Sequence, residues 1–240
     1  MKKIMILILA LVSVVAFAQK TGKADSNRQT VDANNNILGA IASYGPDGAN
    51  IGASSIVYNP PTPIDGTVYL FDDWYNNVVI VSAEEKMFKL NNINFNAKLN
   101  VFESQINKDS IFSYDFSNLD RIVVNNRTFK NVYSPIKGGY MVLEVLAESE
   151  DFSILKEYSI DIREGNPNPM LAQANDKYIM RDAYYIKKGK SFKRFKLKKS
   201  NILKAMGREA KVVESYAKEN DLNFKDERDL YKIVTYYDGL

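Results

Sequence analysis

The sequence predicts a mainly β (α+β) protein: an antiparallel curved sheet or half-barrel of hairpins followed by a small C-terminal helical bundle. Two observations carry this. Over residues 66–197, short β-branched and aromatic runs are separated by Asn, Gly and acidic turn signals, the pattern of an antiparallel meander. Beyond Ser200 the apolar spacing changes to i, i+3, i+4, which is helical. With 240 residues and 45% hydrophobic composition, the chain can bury one medium core or two small ones.

Taken in order, residues 1–18 read as a secretory signal peptide. Lys2 and Lys3 precede an apolar run over residues 4–15, and Ala16-Phe17-Ala18 supplies small residues for cleavage after Ala18. The run falls short of the roughly 20 residues of a membrane helix. Residues 19–63 read as an extended leader ending in the Pro60-Pro61-Thr62-Pro63 spacer, with apolar patches at 37–41 and 51–58 able to lay a strand on the domain edge.

Residues 64–199 form the predicted β domain. Residues 78–81 and 86–90 make a hairpin around 82–85, and residues 93–101 form either one long strand or, as the turn-like Asn-x-x-x-Asn favours, two strands folded back around 96–100. Ile122-Val123-Val124, Asn125-Asn126 and Arg127-Thr128-Phe129 read as a hairpin with a two-residue turn, because asparagine tolerates positive φ. Residues 140–146 and 152–162 bracket an acidic turn, Asn166-Pro167-Asn168-Pro169 stops the second strand, and a last hairpin turns at Gly189. Residues 200–240 form the helical segment. Ser200 is the expected N-cap of the first helix and Gly207 its C-terminal stop. Val212, Val213, Tyr216 and Ala217 are the expected stripe of the second, and Asp226 is the cap of a third carrying Leu230, Ile233, Val234 and Tyr237.

Three stretches, Gly66-Thr67-Val68-Tyr69-Leu70-Phe71-Asp72-Asp73-Trp74, residues 90–104 and the tail at 202–237, resemble a recurrent group of exported β-rich proteins of Bacteroidota to whose motifs no activity is attached. The resemblance implies a Gram-negative envelope location and leaves activity open. A weaker likeness of the hairpins is to the curved half-barrels of envelope lipid carriers. Asp109-Ser110-Ile111 resembles the site at which Bacteroidota O-glycosylate exported proteins, which implies that Ser110 lies at an exposed turn.

Histidine and cysteine are both absent, which removes Ser-His-Asp and Cys-His catalysis, disulfides, lipid-modified cysteine anchoring and the usual zinc and copper sites. No P-loop, G-x-G-x-x-G or EF-hand pattern occurs, so no cofactor or metal is expected. Ser153-Ile154-Leu155-Lys156 matches S-x-x-K, but strand alternation puts Ser153 and Lys156 on opposite faces. Asp72, Asp73 and Trp74 admit two readings. The tryptophan stacks a sugar that the acids bind or hydrolyse, or the acids build a turn that Trp74 anchors.

Charge is divided along the chain: residues 19–175 hold 13 basic and 19 acidic side chains, residues 176–240 hold 17 and 10. Within 187–199 lie eight cations and no acid: Lys187, Lys188, Lys190, Lys193, Arg194, Lys196, Lys198 and Lys199. Alternation puts Phe192, Arg194, Lys196 and Lys198 on one face and Lys193, Phe195, Leu197 and Lys199 on the other. Such a strip suits anionic lipid headgroups, acidic polysaccharide or the acidic part of this same chain, and it also suits an edge strand protected by lysine against aggregation. The expected function is a non-enzymatic, periplasmic or secreted binding module whose partner is an envelope protein or an anionic envelope component. Nucleic acid and a transmembrane segment are not expected.

Overall fold

The structure, a computed structural model, describes residues 28–30, 53–57, 64–107, 110–165 and 175–240, the first two stretches as backbone. The signal peptide, most of the leader, the apolar patch at 37–41, Asp109 and the 166–169 stop lie outside the described residues.

Fourteen strands are formed by the described residues: β1 Arg28–Thr30, β2 Ala53–Val57, β3 Ile64–Asp65, β4 Tyr75–Ser82, β5 Met87–Asn92, β6 Asn94–Asn96, β7 Val101–Asn107, β8 Ser110–Tyr114, β9 Leu119–Val124, β10 Arg127–Ser134, β11 Gly139–Glu148, β12 Ser153–Arg163, β13 Asp176–Lys188 and β14 Ser191–Phe195. The helices are α1 Lys199–Met206, α2 Ala210–Glu219 and α3 Glu227–Asp238, with a 3-10 turn at Gly207–Glu209 between the first two.

The strands make a mainly β fold of mostly antiparallel hairpins, as the alternating pattern predicts. The large sheet runs β1-β5-β4-β9-β10-β11-β12-β13-β14, with β3 also beside β13, and it is neither closed nor strongly curled. A second, four-stranded sheet runs β2-β8-β7-β6. The half-barrel alternative therefore gives way to layering, for a local reason. Fully buried Ile93 separates β5 from β6, and there the chain leaves the large sheet and enters the small one.

Turn chemistry sets the register. Asn125 and Asn126 take φ of 49° and 66°, so Val124 opposes Arg127 across a two-residue turn. Gly189, at φ 53°, turns β13 into β14 with Lys188 opposite Ser191. The 96–100 fold-back pairs Asn96 with Val101, and the acidic turn pairs Glu148 with Ser153. The patch at 51–58 contains β2, which lies along β8. No element is predicted for residues 110–114, which form β8. There Phe112 and Tyr114 alternate with Ser113 too briefly to stand out from a loop.

One face of β11–β13 carries two cores end to end. Phe95, Phe102 and Phe129 centre the first, between the two sheets, with ring centroids 5.0 to 5.7 Å apart. Leu146 and Ile154 found the second, beneath Ile202, Val213, Phe224, Leu230 and Ile233 of the helical segment. The opposite face holds a smaller cluster of Met141, Leu143, Leu155, Tyr185 and Phe192.

Two helical expectations change. Lys198 is the N-cap of α1, without a side-chain cap bond, because the extended chain leaving β14 turns helical at Lys199 and leaves Ser200 inside the first turn. Val212 is exposed, because α2 buries the narrower i, i+4 pair Val213 and Ala217. Gly207 ends α1 with φ 61°, and Asp226 caps α3 by accepting from the N–H groups of Arg228 and Asp229.

Candidate functional site

The basic strip lies on and around β14, the last strand of the large sheet. Two anchors fix it. Phe192, opposite Lys187, joins the apolar cluster on one face, while Phe195, opposite Tyr184, and Leu197 pack into the helical core on the other. The cations are thereby held outward. Lys187, Lys188, Lys190, Lys193, Arg194, Lys196, Lys198 and Lys199 are all exposed. Only Lys199 makes an ion pair among the described residues, with Glu214 at 2.7 Å, and its ammonium also sits 5.9 Å from the Phe224 ring. The predicted alternation is present over Ser191–Phe195, where the register with β13 ends, while Lys196, Lys198 and Lys199 follow beyond the strand.

Arg194 also lines a cleft of about 510 Å³ with Glu157, Tyr185 and Arg181. There the Tyr185 hydroxyl donates to Glu157 at 2.5 Å and the Lys137 ammonium lies 3.2 Å from the same carboxylate. Burial, then the Glu157 bond, pushes the Tyr185 phenol up to about 12, against the pull of Arg194.

Asp72, Asp73 and Trp74 form bends leading into β4. Asp73 accepts from the Tyr75 N–H at 2.8 Å, and its carbonyl accepts from the side-chain amides of Asn76 and Asn94. Trp74 is half-buried, edge-on to Tyr69 at 4.7 Å. These contacts are those of a turn with an aromatic anchor. Ser153 donates to Glu148 and the Lys156 ammonium to Glu227, so the S-x-x-K pair does not meet. Ser110 is half-buried at the start of β8 instead of at an exposed turn, because the β7–β8 pairing extends to Asn107 and Ser110.

The structure brings together two polar clusters that pattern reading passes over. At the seam between the two cores, Arg127 forks onto Glu144 at 2.8 and 2.9 Å, and the Tyr158 hydroxyl donates to the same carboxylate at 2.6 Å. Burial opposes the guanidinium charge, but Glu144 outweighs it and holds the Arg127 pKa above its ordinary value. Burial and then Glu144 raise Tyr158. The signal was present in the sequence as a lone acid inside the apolar run of β11.

Glu103 anchors the second cluster. It is 2% exposed and accepts from the Tyr69 hydroxyl at 2.9 Å, the Asn96 amide at 3.1 Å and the Ser113 hydroxyl at 3.3 Å. Its cleft, of about 350 Å³, also takes in Lys98 and Tyr178. Nothing local in the sequence marks it, because its members come from four separate strands and loops. Among the described residues, no group of three or more acidic side chains is placed to hold a metal, and no helix is long and apolar enough to cross a membrane. Comparison with known proteins finds no matching family model, no similar curated protein and no similar solved structure.

Proposed function

We propose that this chain is an exported, non-enzymatic binding module of the bacterial envelope that docks an anionic surface along the basic edge at residues 187–199. The observation that carries the reading is the exposure of all eight cations along the β13–β14 hairpin and the run from it into α1, an edge pinned by Phe192 on one face and by Phe195 and Leu197 on the other. A fixed strand holds its charges in a constant array, and such an array attracts phosphate or carboxylate layers over about a Debye length, roughly 8 Å at physiological salt. The two apolar cores on one face of the large sheet are built of closely packed side chains, which favours docking at the surface over a lipid tail held inside. The signal-like residues 1–18 and the resemblance to exported Bacteroidota proteins support the envelope. The alternative, a carbohydrate-active hydrolase built on Asp72, Asp73 and Trp74, draws less support, since Asp73 is engaged in its own turn.

Sedimentation with phosphatidylglycerol vesicles tests it. Replacing Lys193, Arg194, Lys196 and Lys198 together with Gln is expected to weaken adsorption at least about tenfold, and added salt is expected to weaken the parent likewise. Adsorption unchanged by both would overturn the reading. Retention on an alginate column without vesicle binding would assign the strip to acidic polysaccharide.

A further inference from the structure

We propose that the cleft around Glu103 is a binding site for a neutral, hydroxyl-rich ring, one sugar unit or a polyol, separate from the basic edge. Its size suits such a ligand, since about 350 Å³ is at the small end of ligand clefts. Its charges select for neutrality. Glu103 and Lys98 both line the cleft, yet neither takes part in an ion pair among the described residues. An organic cation entering here meets the Lys98 ammonium, and an anion meets the Glu103 carboxylate. A hydroxyl group suits both, because it donates to the carboxylate and accepts from the ammonium.

The buried carboxylate also needs an explanation that the fold does not supply. A carboxylate without a counter-charge is costly to bury, and among the described residues Glu103 holds its place with three neutral donors. Among the described residues, one of its oxygens receives only the long 3.3 Å bond from Ser113, which leaves acceptor capacity for a ligand. Tyr69 is fixed from behind by Trp74 and from in front by Glu103, so its ring and hydroxyl are preset. Tyr178 provides a second aromatic wall, with the Lys98 ammonium 5.3 Å from its centroid. Apolar ring faces beside a few fixed polar groups are what a sugar's alternating C–H and O–H surfaces require. Glu103 is the sole acid among the described lining residues, so the site lacks the second carboxylate of glycoside hydrolysis and is assigned to binding alone.

Trp74 is the chain's single tryptophan and touches Tyr69, so its fluorescence reports on the cleft. The full mature chain is titrated with the methyl glycosides of glucose, galactose and N-acetylglucosamine and with myo-inositol. Tetramethylammonium and sulfate serve as charged controls. At least one neutral probe is expected to give a saturable change, with amide shifts at Tyr69, Asn96 and Lys98. Lys98→Met, at an exposed position that leaves the core intact, is expected to weaken that binding about tenfold, the worth of one charge-assisted hydrogen bond. The proposal is overturned if no neutral probe saturates, if Lys98→Met binds as tightly as the parent, or if either charged control binds more tightly than every neutral probe.

Discussion

Tyr185 shows how one hydroxyl ties the chemistry of a cleft to stability. It is 3% exposed, stacks on Phe192 at 4.9 Å and donates to Glu157, a carboxylate that is itself buried. Replacing it with Phe keeps the ring but withdraws a donor from a charged acceptor, while Lys137 remains as partner. We expect Tyr185→Phe to lower unfolding stability by about 1 to 2 kcal/mol near neutrality. The phenol's pKa is raised from 10 to about 12 in the fold, so between those values the folded chain holds a proton that the unfolded chain has lost. Its contribution is thus complete below pH 10 and is lost as pH rises through about 12. Denaturant midpoints measured across this window check the sign: the parent should lose more stability than Tyr185→Phe. An equal loss in both would show that this proton does not count.

At the scale of elements, the hairpins are the part of the fold most legible in the sequence, because turn chemistry is local. Asn125 and Asn126 both hold positive φ, yet they are not equivalent. The Asn125 side chain accepts from the Asn77 N–H at 3.0 Å and donates to Asn76 at 2.7 Å, tying the turn to β4. Asn126 contributes its conformation and is exposed. We therefore expect Asn126→Gly to change stability by less than about 1 kcal/mol and Asn126→Val to cost about 1 to 3 kcal/mol, since a β-branched residue resists this region. Thermal or urea unfolding of the two variants reads the difference, and equal stabilities would refute a conformational role. The basic strip was legible for the same local reason: alternation along β14 tells which residues anchor and which remain outside. Ser200 is a residue type that caps helices well, but the helix starts one residue earlier, at Lys199, because its start also depends on how the preceding strand delivers the chain. The Glu103 cluster was not legible, since Tyr69, Asn96, Glu103 and Ser113 converge only once β6, β7 and β8 pair in the small sheet and the segment at Tyr69 lies against β6.

Across the whole molecule, what a sequence pattern leaves open is which strands share a layer, and here that choice creates two cores on one face of a continuous ribbon. On β11, Val142 belongs to the core between the sheets and Leu146 to the core under the helices, with Glu144 between them. On β12, Tyr158 and Ile154 divide the same way around Lys156, and Glu144 and Lys156 are cross-strand partners. The boundary between cores is thus polar by construction. Lys156 reaches across it to Glu227 in the first turn of α3, at 2.7 Å, and Tyr184 donates to the same oxygen at 2.8 Å. A polar seam between two apolar clusters is where cooperativity weakens, so the helices are expected to open as one unit while the stacked sheets stay closed. Native-state hydrogen exchange tests this. Amides of α1, α2 and α3 should share one opening free energy lower than that of β9 and β10. Glu227→Ala withdraws the acceptor shared by Lys156 and Tyr184, with Asp182 left 3.7 Å from the ammonium. It should lower the helical opening energy by about 1 to 3 kcal/mol and leave the sheet's almost unchanged. If both regions fall together, the two cores form one cooperative unit and the seam does not divide them.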